Sequence, residues 1–252
     1  MKHRYFILLD YNGSAFHGWQ VQPKTTTVQG VINHALSTLL REEINIVGCG
    51  RTDTGVHAKN FVAHFDSQID NIHETNLAFK LNAFLPKEIV IHDIAKMHND
   101  AHSRFDATKR TYKYFISLKK DPFDFNHSLR VDQKLDIELM NIAAKQLLNY
   151  IDFTSFSKVD TETKTNNCKI YEANWQQIDY KLIFTISADR FLRNMVRAIV
   201  GTLLEVGKGK LSIEGFNDII MAKDRCKAKS SASAQALFLT KVVYPYSINQ
   251  TN

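Results

Sequence analysis

The residues best suited to chemistry stand in one glycine-rich run, Gly48-Cys49-Gly50-Arg51-Thr52-Asp53-Thr54-Gly55-Val56-His57-Ala58. Asp53 supplies a carboxylate that can act as a nucleophile, and Arg51 supplies a nearby cation that favours its ionised form. Glycine adopts backbone angles that other residues avoid and lets a substrate approach the main chain. Asp53 is therefore a candidate catalytic residue. A structural turn in which Arg51 and Asp53 only form an ion pair has the same residue types, so the run alone leaves both interpretations open.

Two tyrosines alternate in a second segment, Arg110-Thr111-Tyr112-Lys113-Tyr114. This alternation predicts a strand that places Tyr112 and Tyr114 on one face. A tyrosine ring can stack on a nucleobase, and its phenol can exchange a proton. Aromatic pairs with this spacing also pack ordinary sheet cores, so the spacing favours a core position without excluding a site.

Three arginines, Arg190, Arg193 and Arg197, follow one another at spacings of three and four. The residues around them, 190–206, are apolar at positions that predict a long helix buried over most of its circumference. On such a helix the arginines form one narrow basic stripe. A solvated helix face is the simplest interpretation of that stripe.

The composition indicates a protein with a substantial core and no covalent crosslinks. The 252 residues are 44% hydrophobic, and the formal net charge of +6 suits a polyanionic partner. The three cysteines, Cys49, Cys168 and Cys226, are an odd number at wide spacing, which argues against a disulfide framework or a structural zinc site. No apolar run approaches the roughly 20 residues of a membrane span, and the N-terminal run is too short for a signal peptide. We expect a cytoplasmic protein.

The elements that position these groups alternate between strands and helices along the chain. The periodicity predicts strands at 5–10, 44–49, 61–65, 89–97, 111–118, 171–178, 182–188 and 237–244. It predicts helices at 28–40, 74–84, 137–150, 190–206 and 213–222. Two α+β halves with mainly antiparallel sheets follow from this order, and we expect domains at 1–105 and 106–252.

Several segments resemble, in the same order, segments of the tRNA pseudouridine synthase A family. They are Tyr11-Asn12-Gly13-Ser14 with Gly18-Trp19-Gln20, Gly50-Arg51-Thr52-Asp53-Thr54-Gly55-Val56-His57, Arg110-Thr111-Tyr112-Lys113-Tyr114, Asp152-Phe153-Thr154-Ser155-Phe156 and Phe191-Leu192-Arg193-Asn194-Met195-Val196-Arg197. The chain departs from the family at Asn12, where Asp is usual, at Thr54, where Ala is common, and at Ala236, where Gly usually precedes Leu237. None of these departures removes a group that would perform chemistry.

The resemblance implies the pseudouridine synthase fold. This is an α+β architecture of two similar α/β-sandwich halves whose mainly antiparallel sheets meet at a central basic cleft. The N-terminal half, 1–105, would carry the catalytic Asp loop, and the C-terminal half, 106–252, would complete the active site. The resemblance further implies a homodimer, with one tRNA bridging both subunits.

The activity implied is the isomerisation of uridine to pseudouridine at positions 38 to 40 of the tRNA anticodon stem-loop, after the target base is flipped from its stack. The bond from C1′ to N1 breaks, the uracil turns, and C5 joins C1′, so neither a nucleotide cofactor nor a metal is required. Asp53 takes the role of the nucleophile, and attack at C1′, attack at C6 and assisted elimination to a glycal stay open. Arg51 would hold its carboxylate ionised and oriented.

The resemblance also assigns the remaining site residues. Tyr112 would pack against the target uracil and accept or relay the C5 proton. Arg197 would lie in the active site close to Asp53, and Leu237 would form part of the wall of the uracil pocket. His57 would either orient the loop that carries Asp53 or touch RNA.

Further basic residues are expected to contact tRNA rather than to take part in the chemistry. Arg110 and Arg193 belong to this group. The others lie in the segments Lys109-Arg110, Lys119-Lys120, Lys208-Gly209-Lys210 and Lys223-Asp224-Arg225-Cys226-Lys227-Ala228-Lys229. Such side chains reach phosphates readily from loops.

Two other classes of function compete with this interpretation. A noncatalytic RNA-binding module would keep the basic loops but has no use for Asp53. A metal-dependent nuclease or phosphohydrolase would use Asp53 as a ligand, but the sequence offers no obvious second carboxylate. His98, Asp100 and His102 invite a metal site by their types, yet their segment has the composition of a loop, so we expect no metal there.

Overall fold

The computed structural model describes residues 2–158 and 164–248. The chain forms two compact units. The first unit comprises the described residues up to Lys109 together with those from Leu239 onwards, and the second unit is the span from Arg110 to Phe238. Each unit is an α+β arrangement with a mainly antiparallel sheet, which confirms the fold class expected from the sequence.

In the first unit, the strands are β1 (His3–Tyr11), β2 (Val47–Gly48), β3 (His57–Ser67) and β4 (Ile89–Met97), and the helices are α1 (Val28–Leu40) and α2 (Leu77–Phe84). Strand β1 pairs antiparallel with β3 on one side and with β4 on the other. The short strand β2 pairs with β3, and it leads directly into the segment that carries Asp53.

In the second unit, the strands are β5 (Lys109–Ser117), β6 (Leu129–Arg130), β7 (Ile170–Ile178) and β8 (Lys181–Ala188), and the helices are α3 (Ile137–Gln146), α4 (Met195–Gly207) and α5 (Ile213–Met221). Strand β8 lies between β5 and β7 and pairs antiparallel with both. Helix α4 is buried over nearly its whole circumference because its residues are almost all apolar.

The last strand, β9 (Leu237–Val243), begins in the second unit and ends in the first, where it lies next to β3. Beyond it, the hydroxyl of Tyr246 donates to Asp106 at 2.6 Å, and the ring of Tyr244 packs edge-on against Phe6. The compact units therefore differ from the ranges 1–105 and 106–252 expected from the sequence. The difference arises because the C-terminal residues bond to the first unit.

Several of the predicted elements are shorter in the structure, among them one strand and one helix of the first unit. The strand predicted at 44–49 is reduced to β2 because side chains of α1 bond to the main chain before it: Asn33 Oδ1 accepts from Ile46 N–H at 2.9 Å, and Ser37 Oγ accepts from Ile44 N–H at 2.9 Å. The helix predicted at 74–84 begins at Leu77, since Thr75 adopts an extended conformation after a single 3-10 turn.

The prediction of one helix over 190–206 is wrong in its first turn. Helix α4 begins only at Met195, because Asn194 has a φ of 66° and so stands in the left-handed region. Arg190 and Arg193 precede the helix, and they do not form a helical stripe with Arg197. No helix within the described ranges combines the length and apolar character needed to cross a membrane.

Candidate active site

Asp53 lies at the start of a tight turn within the Asp53 loop, residues 48–58. The N–H of Val56 donates to the carbonyl oxygen of Asp53 at 3.1 Å, and Gly55 has a φ of 79°. A positive φ at the third position of a turn favours glycine, which explains Gly55. The turn leaves the Asp53 side chain half-buried, as suits a carboxylate that meets a substrate.

Thr52, the residue before Asp53, is held by Tyr11 at the end of β1 and by Trp19 in the N-terminal loop, residues 12–27. Its hydroxyl is 2.8 Å from the hydroxyl of Tyr11, and its carbonyl oxygen accepts from Trp19 N–H at 3.2 Å. Gly18 has a φ of 85° and passes so close to the Thr52 carbonyl that a side chain at Gly18 would clash with it. The N-terminal loop is therefore the frame that fixes the backbone beside Asp53.

The other end of the turn is fixed by His57 and Gly13. His57 is 1% exposed, and its Nδ1 accepts from Gly13 N–H at 3.1 Å, which places the proton of the neutral ring on Nε2. A Cβ atom at Gly13 would overlap the carbonyl oxygen of Val56. Of the two roles expected for His57, its burial favours orientation of the loop over contact with RNA.

An aromatic cluster packs against the start of the Asp53 loop. The rings of Trp19 and Phe61 stack with centroids 4.2 Å apart, and Tyr11 meets Phe61 edge-on at 5.4 Å. Gly48, at the start of the loop, passes so close to the Trp19 ring that any side chain there would clash with it. This packing anchors the start of the Asp53 loop in the core of the first unit, as a preorganised active site requires.

The Arg51 side chain is exposed, and its expected pairing with Asp53 stays a prediction. The loop directs Arg51 towards solvent because Thr52 between the two residues is turned inwards to Tyr11. The Arg51 guanidinium is therefore accessible to an anionic partner.

In the second unit, Arg110, Tyr112, Tyr114 and Ile116 share the buried face of β5, as the alternation predicts. Tyr114 is fully buried, its hydroxyl donates to Ser233 O at 2.9 Å, and burial raises its pKa. Tyr112 is 9% exposed, and its ring meets Phe191 edge-on with centroids 5.2 Å apart. Tyr114 is thus a core residue, whereas Tyr112 lies at the end of the face that adjoins the segment before α4.

Arg110 is a structural residue in this conformation. It is 9% exposed, and its Nη1 donates to the carbonyl oxygen of Asp189 at 2.7 Å. This bond ties the start of β5 to the end of β8, where Arg110 and Ala188 are paired in the sheet. The expected contact of Arg110 with tRNA stays a prediction.

The arginines around the start of α4 have different environments. Arg193 is exposed, and its carbonyl oxygen accepts from Lys158 N–H at 3.0 Å. Arg197 is half-buried, and its Nε donates to Ala232 O at 2.8 Å. Leu237, five residues after Ala232, is buried at the first position of β9. The second unit therefore connects Arg197 directly to the segment that leads into Leu237.

Sequence reasoning assigned no individual role to Tyr11, Thr52, Asn194 or Ser231. In the structure, Tyr11 bonds to Thr52 next to Asp53, and Asn194 bonds to Ser231 near the start of the helix that carries Arg197. The signal for Asn194 was present, because Asn enters the left-handed region more easily than other non-glycine residues. The partners of Thr52 and Ser231 lie far away in sequence, and no local pattern reports them.

The histidines considered for a metal site have other contacts. His102 stacks on Phe105 with ring centroids 4.2 Å apart, and its Nδ1 accepts from the backbone N–H of Arg104 and of Phe105. His98 meets Tyr246 edge-on. In the described part of the chain, no three His, Cys, Asp or Glu side chains are grouped in a way that could hold a metal ion.

Several of the basic loop residues are partly neutralised by neighbours. Lys208 pairs with Glu205 at 2.9 Å, and Lys223 pairs with Asp152 at 3.1 Å. The ammonium of Lys119 lies 3.8 Å from the ring centre of Tyr180. Lys120 is exposed beside a cavity of about 410 Å³ whose lining includes Lys119, Phe125 and Arg130.

Comparison with known proteins places these features in a family. The family model described as tRNA pseudouridine synthase matches residues 7–106 and 143–245. The chain is 56% identical over 242 residues to the tRNA pseudouridine synthase A of Parabacteroides distasonis, covering 96% of each chain. It is 53% identical to that of Bacteroides thetaiotaomicron, over 97% of this chain and 92% of the relative. It is 39% identical to that of Clostridium acetobutylicum, over 94% of this chain and 98% of the relative.

Proposed function

Because the chain belongs to the tRNA pseudouridine synthase family, we propose that it converts uridine to pseudouridine in tRNA, with Asp53 as the catalytic carboxylate. The observation that supports the proposal is the way in which the backbone on both sides of Asp53 is held in place. Its turn is held by Tyr11 and Trp19 through Thr52 and by Gly13 through His57, while the carboxylate stays half-buried. A carboxylate whose backbone is fixed by this many bonds while its side chain stays accessible is expected of a catalytic group.

The reaction conserves atoms and electrons within the substrate. The bond from C1′ to N1 breaks, the detached uracil turns, C5 bonds to C1′, and the proton of C5 leaves to a base while N1 gains one. Asp53 acts as a nucleophile or assists elimination, and the three routes named above all begin with its ionised form. The reaction therefore requires a positioned carboxylate and a pocket that retains the free uracil.

The second unit is proposed to supply the groups that act on the base. Tyr112 packs its ring against the uracil. Its oxygen either accepts the C5 proton as a phenolate or, as a phenol, relays it by receiving that proton while its own hydroxyl proton passes to water or to another base. Arg197 places its guanidinium against the reacting carboxylate or the anionic uracil, where a delocalised cation stabilises negative charge. Leu237 closes the apolar side of the uracil pocket.

Arg51 is proposed to bind the substrate in addition to its expected role of orienting the Asp53 carboxylate. Its exposed guanidinium is two residues away from the catalytic carboxylate, so a nucleotide that reaches Asp53 passes close to it. Guanidinium groups bind phosphate in a bidentate manner. Arg193, which is also exposed, is proposed to contact the tRNA backbone in the same way.

The substrate is proposed to be the anticodon stem-loop of tRNA, at positions 38 to 40, and the working form a cytoplasmic homodimer that binds one tRNA across two subunits. The net charge of +6 supports a polyanionic substrate. The names of the relatives support tRNA as that substrate. Sedimentation of the protein at micromolar concentration tests the oligomeric state, and a monomer that remains fully active would exclude the dimer.

The direct test uses purified protein and unmodified tRNA transcripts that carry tritium at C5 of uridine. We expect tritium release, with pseudouridine mapped by mass spectrometry, and the same yield with a chelator of divalent ions under conditions where the tRNA stays folded. Transcripts with cytidine at position 38, 39 or 40 identify the sites. Tight tRNA binding without any release would instead indicate an RNA-binding module, and strand cleavage would indicate a nuclease.

Removing the Tyr112 hydroxyl should separate chemistry from binding. Tyr112→Phe keeps the ring but loses the proposed proton acceptor, so we expect tritium release to slow by about 100-fold while tRNA affinity stays near that of the parent. Tyr5→Phe is the matched control, because it removes a buried hydroxyl that donates to Ile69 O at 2.9 Å in the first unit. The control should lose about 1 kcal/mol of stability and no activity. Equal rates for Tyr112→Phe and the parent would leave Tyr112 a packing residue.

Salt should weaken tRNA binding log-linearly. Each phosphate contact contributes about one unit to the slope of log affinity against log salt concentration. We expect Lys120→Ala to reduce the slope by about one unit for different tRNAs alike. Lys208→Ala should reduce it less, because Glu205 already neutralises that ammonium. An unchanged slope for Lys120→Ala would place the contact surface away from its loop.

A further inference from the structure

The segment 230–237 leads into β9 and is bonded to its surroundings at several points, with residues 230–233 irregular and Ala234–Ala236 in a 3-10 turn. The carbonyl oxygen of Ser230 lies so close to Gly201 that a side chain at Gly201 would clash with it. The carbonyl oxygen of Ser233 accepts from the Tyr114 hydroxyl at 2.9 Å. The segment is therefore held against α4 and β5 at two separate points.

Between these points, Ser231 joins two parts of the second unit that are distant in sequence. Its Oγ accepts from Asn194 Nδ2 at 2.7 Å and from Arg225 Nη2 at 3.0 Å. Asn194 is the left-handed residue immediately before α4, and Arg225 belongs to the loop after α5. The hydroxyl thus fixes the segment relative to the start of the helix that carries Arg197.

Arg225 also forms hydrogen bonds within its own loop. Besides Ser231, its guanidinium reaches the carbonyl oxygens of Ala228 and Lys229, both at 3.5 Å. Arg225 belongs to one of the basic segments expected from the sequence to contact tRNA. Its bonds in the structure point to a different role, which is to hold the chain on either side of Ser231.

The neighbour of Ser231 is the residue that directs Arg197. Ala232 N–H donates to the Arg197 carbonyl oxygen at 2.9 Å, and Arg197 Nε donates back to Ala232 O at 2.8 Å. A guanidinium is planar, so a bond at Nε sets the direction of its two terminal nitrogens. Any shift of residue 232 is therefore passed to the Arg197 head group.

We propose that Ser231, held by Asn194 and Arg225, is a positioning residue for Arg197 in the isomerisation of uridine. The inference rests on the catalytic role proposed for Arg197. Ser231 does not touch the substrate; it fixes Ala232, and Ala232 fixes the guanidinium. A displacement of a catalytic group by about 1 Å can cost about 100-fold in rate, so a small shift of this segment is enough to slow the reaction.

The test compares single-turnover tritium release for Ser231→Ala, Ser231→Thr, Arg197→Lys and the double variant Ser231→Ala with Arg197→Lys. Ser231→Ala should slow the step by about 10-fold with tRNA affinity within about twofold of the parent. Ser231→Thr keeps the hydroxyl and should restore most of the rate. In the Arg197→Lys background, which lacks the bond from Nε to Ala232, Ser231→Ala should slow the step by less than about twofold, because coupled residues are not additive.

Ser212→Ala is the control for stability. The Ser212 hydroxyl accepts from Gly215 N–H at 3.0 Å as the cap of α5, so its loss costs about 1 kcal/mol without touching the segment. Asn194→Gly is the second variant, because glycine keeps the left-handed backbone while removing the amide that binds Ser231. It should slow the step as Ser231→Ala does.

The outcomes separate the two proposals. A parental rate for Ser231→Ala, an equal slowing in the Arg197→Lys background, or unfolding of both Ser231→Ala and Asn194→Gly would overturn the positioning role. A parental rate for Arg197→Lys alone would instead refute the catalytic role of Arg197, whatever Ser231 does.

Discussion

The Asp53→Asn protein is expected to bind tRNA as tightly as the parent and to form no detectable pseudouridine. Asn keeps the size and most of the hydrogen-bonding shape of Asp, and the turn is closed by backbone atoms, from Val56 N–H to Asp53 O. The loop should therefore survive. The substitution removes the negative charge and with it the nucleophile, so we expect the rate to fall by at least about 10⁴-fold.

The measurement is tritium release from C5-labelled tRNA, beside a filter-binding titration and a thermal melt. Asp70→Asn is the matched control, because it makes the same chemical change at an exposed residue of the first unit that pairs with Lys96. That control should release tritium at the parental rate. Chemistry at the parental rate in a folded Asp53→Asn protein would eliminate Asp53 as the catalytic carboxylate.

Gly13→Ala should damage the active site from a residue that takes no part in the chemistry. The added Cβ would overlap the Val56 carbonyl oxygen, and this backbone atom cannot move without shifting the turn that carries Asp53. We expect a loss of about 3 kcal/mol in the free energy of unfolding. We also expect tritium release to fall by about 100-fold in the fraction that remains folded.

Gly50→Ala provides the comparison within the same loop. Apart from its two chain neighbours, no described residue comes within 4 Å of the position that a Cβ atom would take at Gly50. The melting temperature of the Gly50→Ala protein should therefore equal or slightly exceed that of the parent, since Ala restricts the unfolded chain more than Gly does. If Gly13→Ala melts like Gly50→Ala and keeps its activity, the N-terminal loop is not the frame of the Asp53 turn.

Local sequence predicted the elements whose ends are set by local interactions. Helix α1 matches its predicted range because Thr27 Oγ1 accepts from Gly30 N–H at its start and Arg41 turns left-handed at its end. Strand β4 likewise matches 89–97, since its apolar alternation needs no distant partner to be recognised. These are cases in which propensity and tertiary structure agree.

The failures lie where a distant side chain decides the backbone. The strand at 44–49 is shortened by Asn33 and Ser37, and the start of α4 is delayed by Asn194, whose amide bonds to Ser231. The site shows the same limit. The motif led to the proposal of Asp53, but the outward direction of Arg51 follows from the inward bond of Thr52 to Tyr11, which the motif does not report.

The path of β9 has a consequence for synthesis on the ribosome. The first unit needs residues from both ends of the chain, whereas the second unit is continuous from Arg110 to Phe238. At ordinary translation speeds, the nascent N-terminal strands wait on the order of ten seconds before β9 emerges. During that interval β3 lacks this neighbour, and an unpaired edge invites pairing with other chains. Release of the final strand is therefore the event that completes the sheet of the unit bearing Asp53.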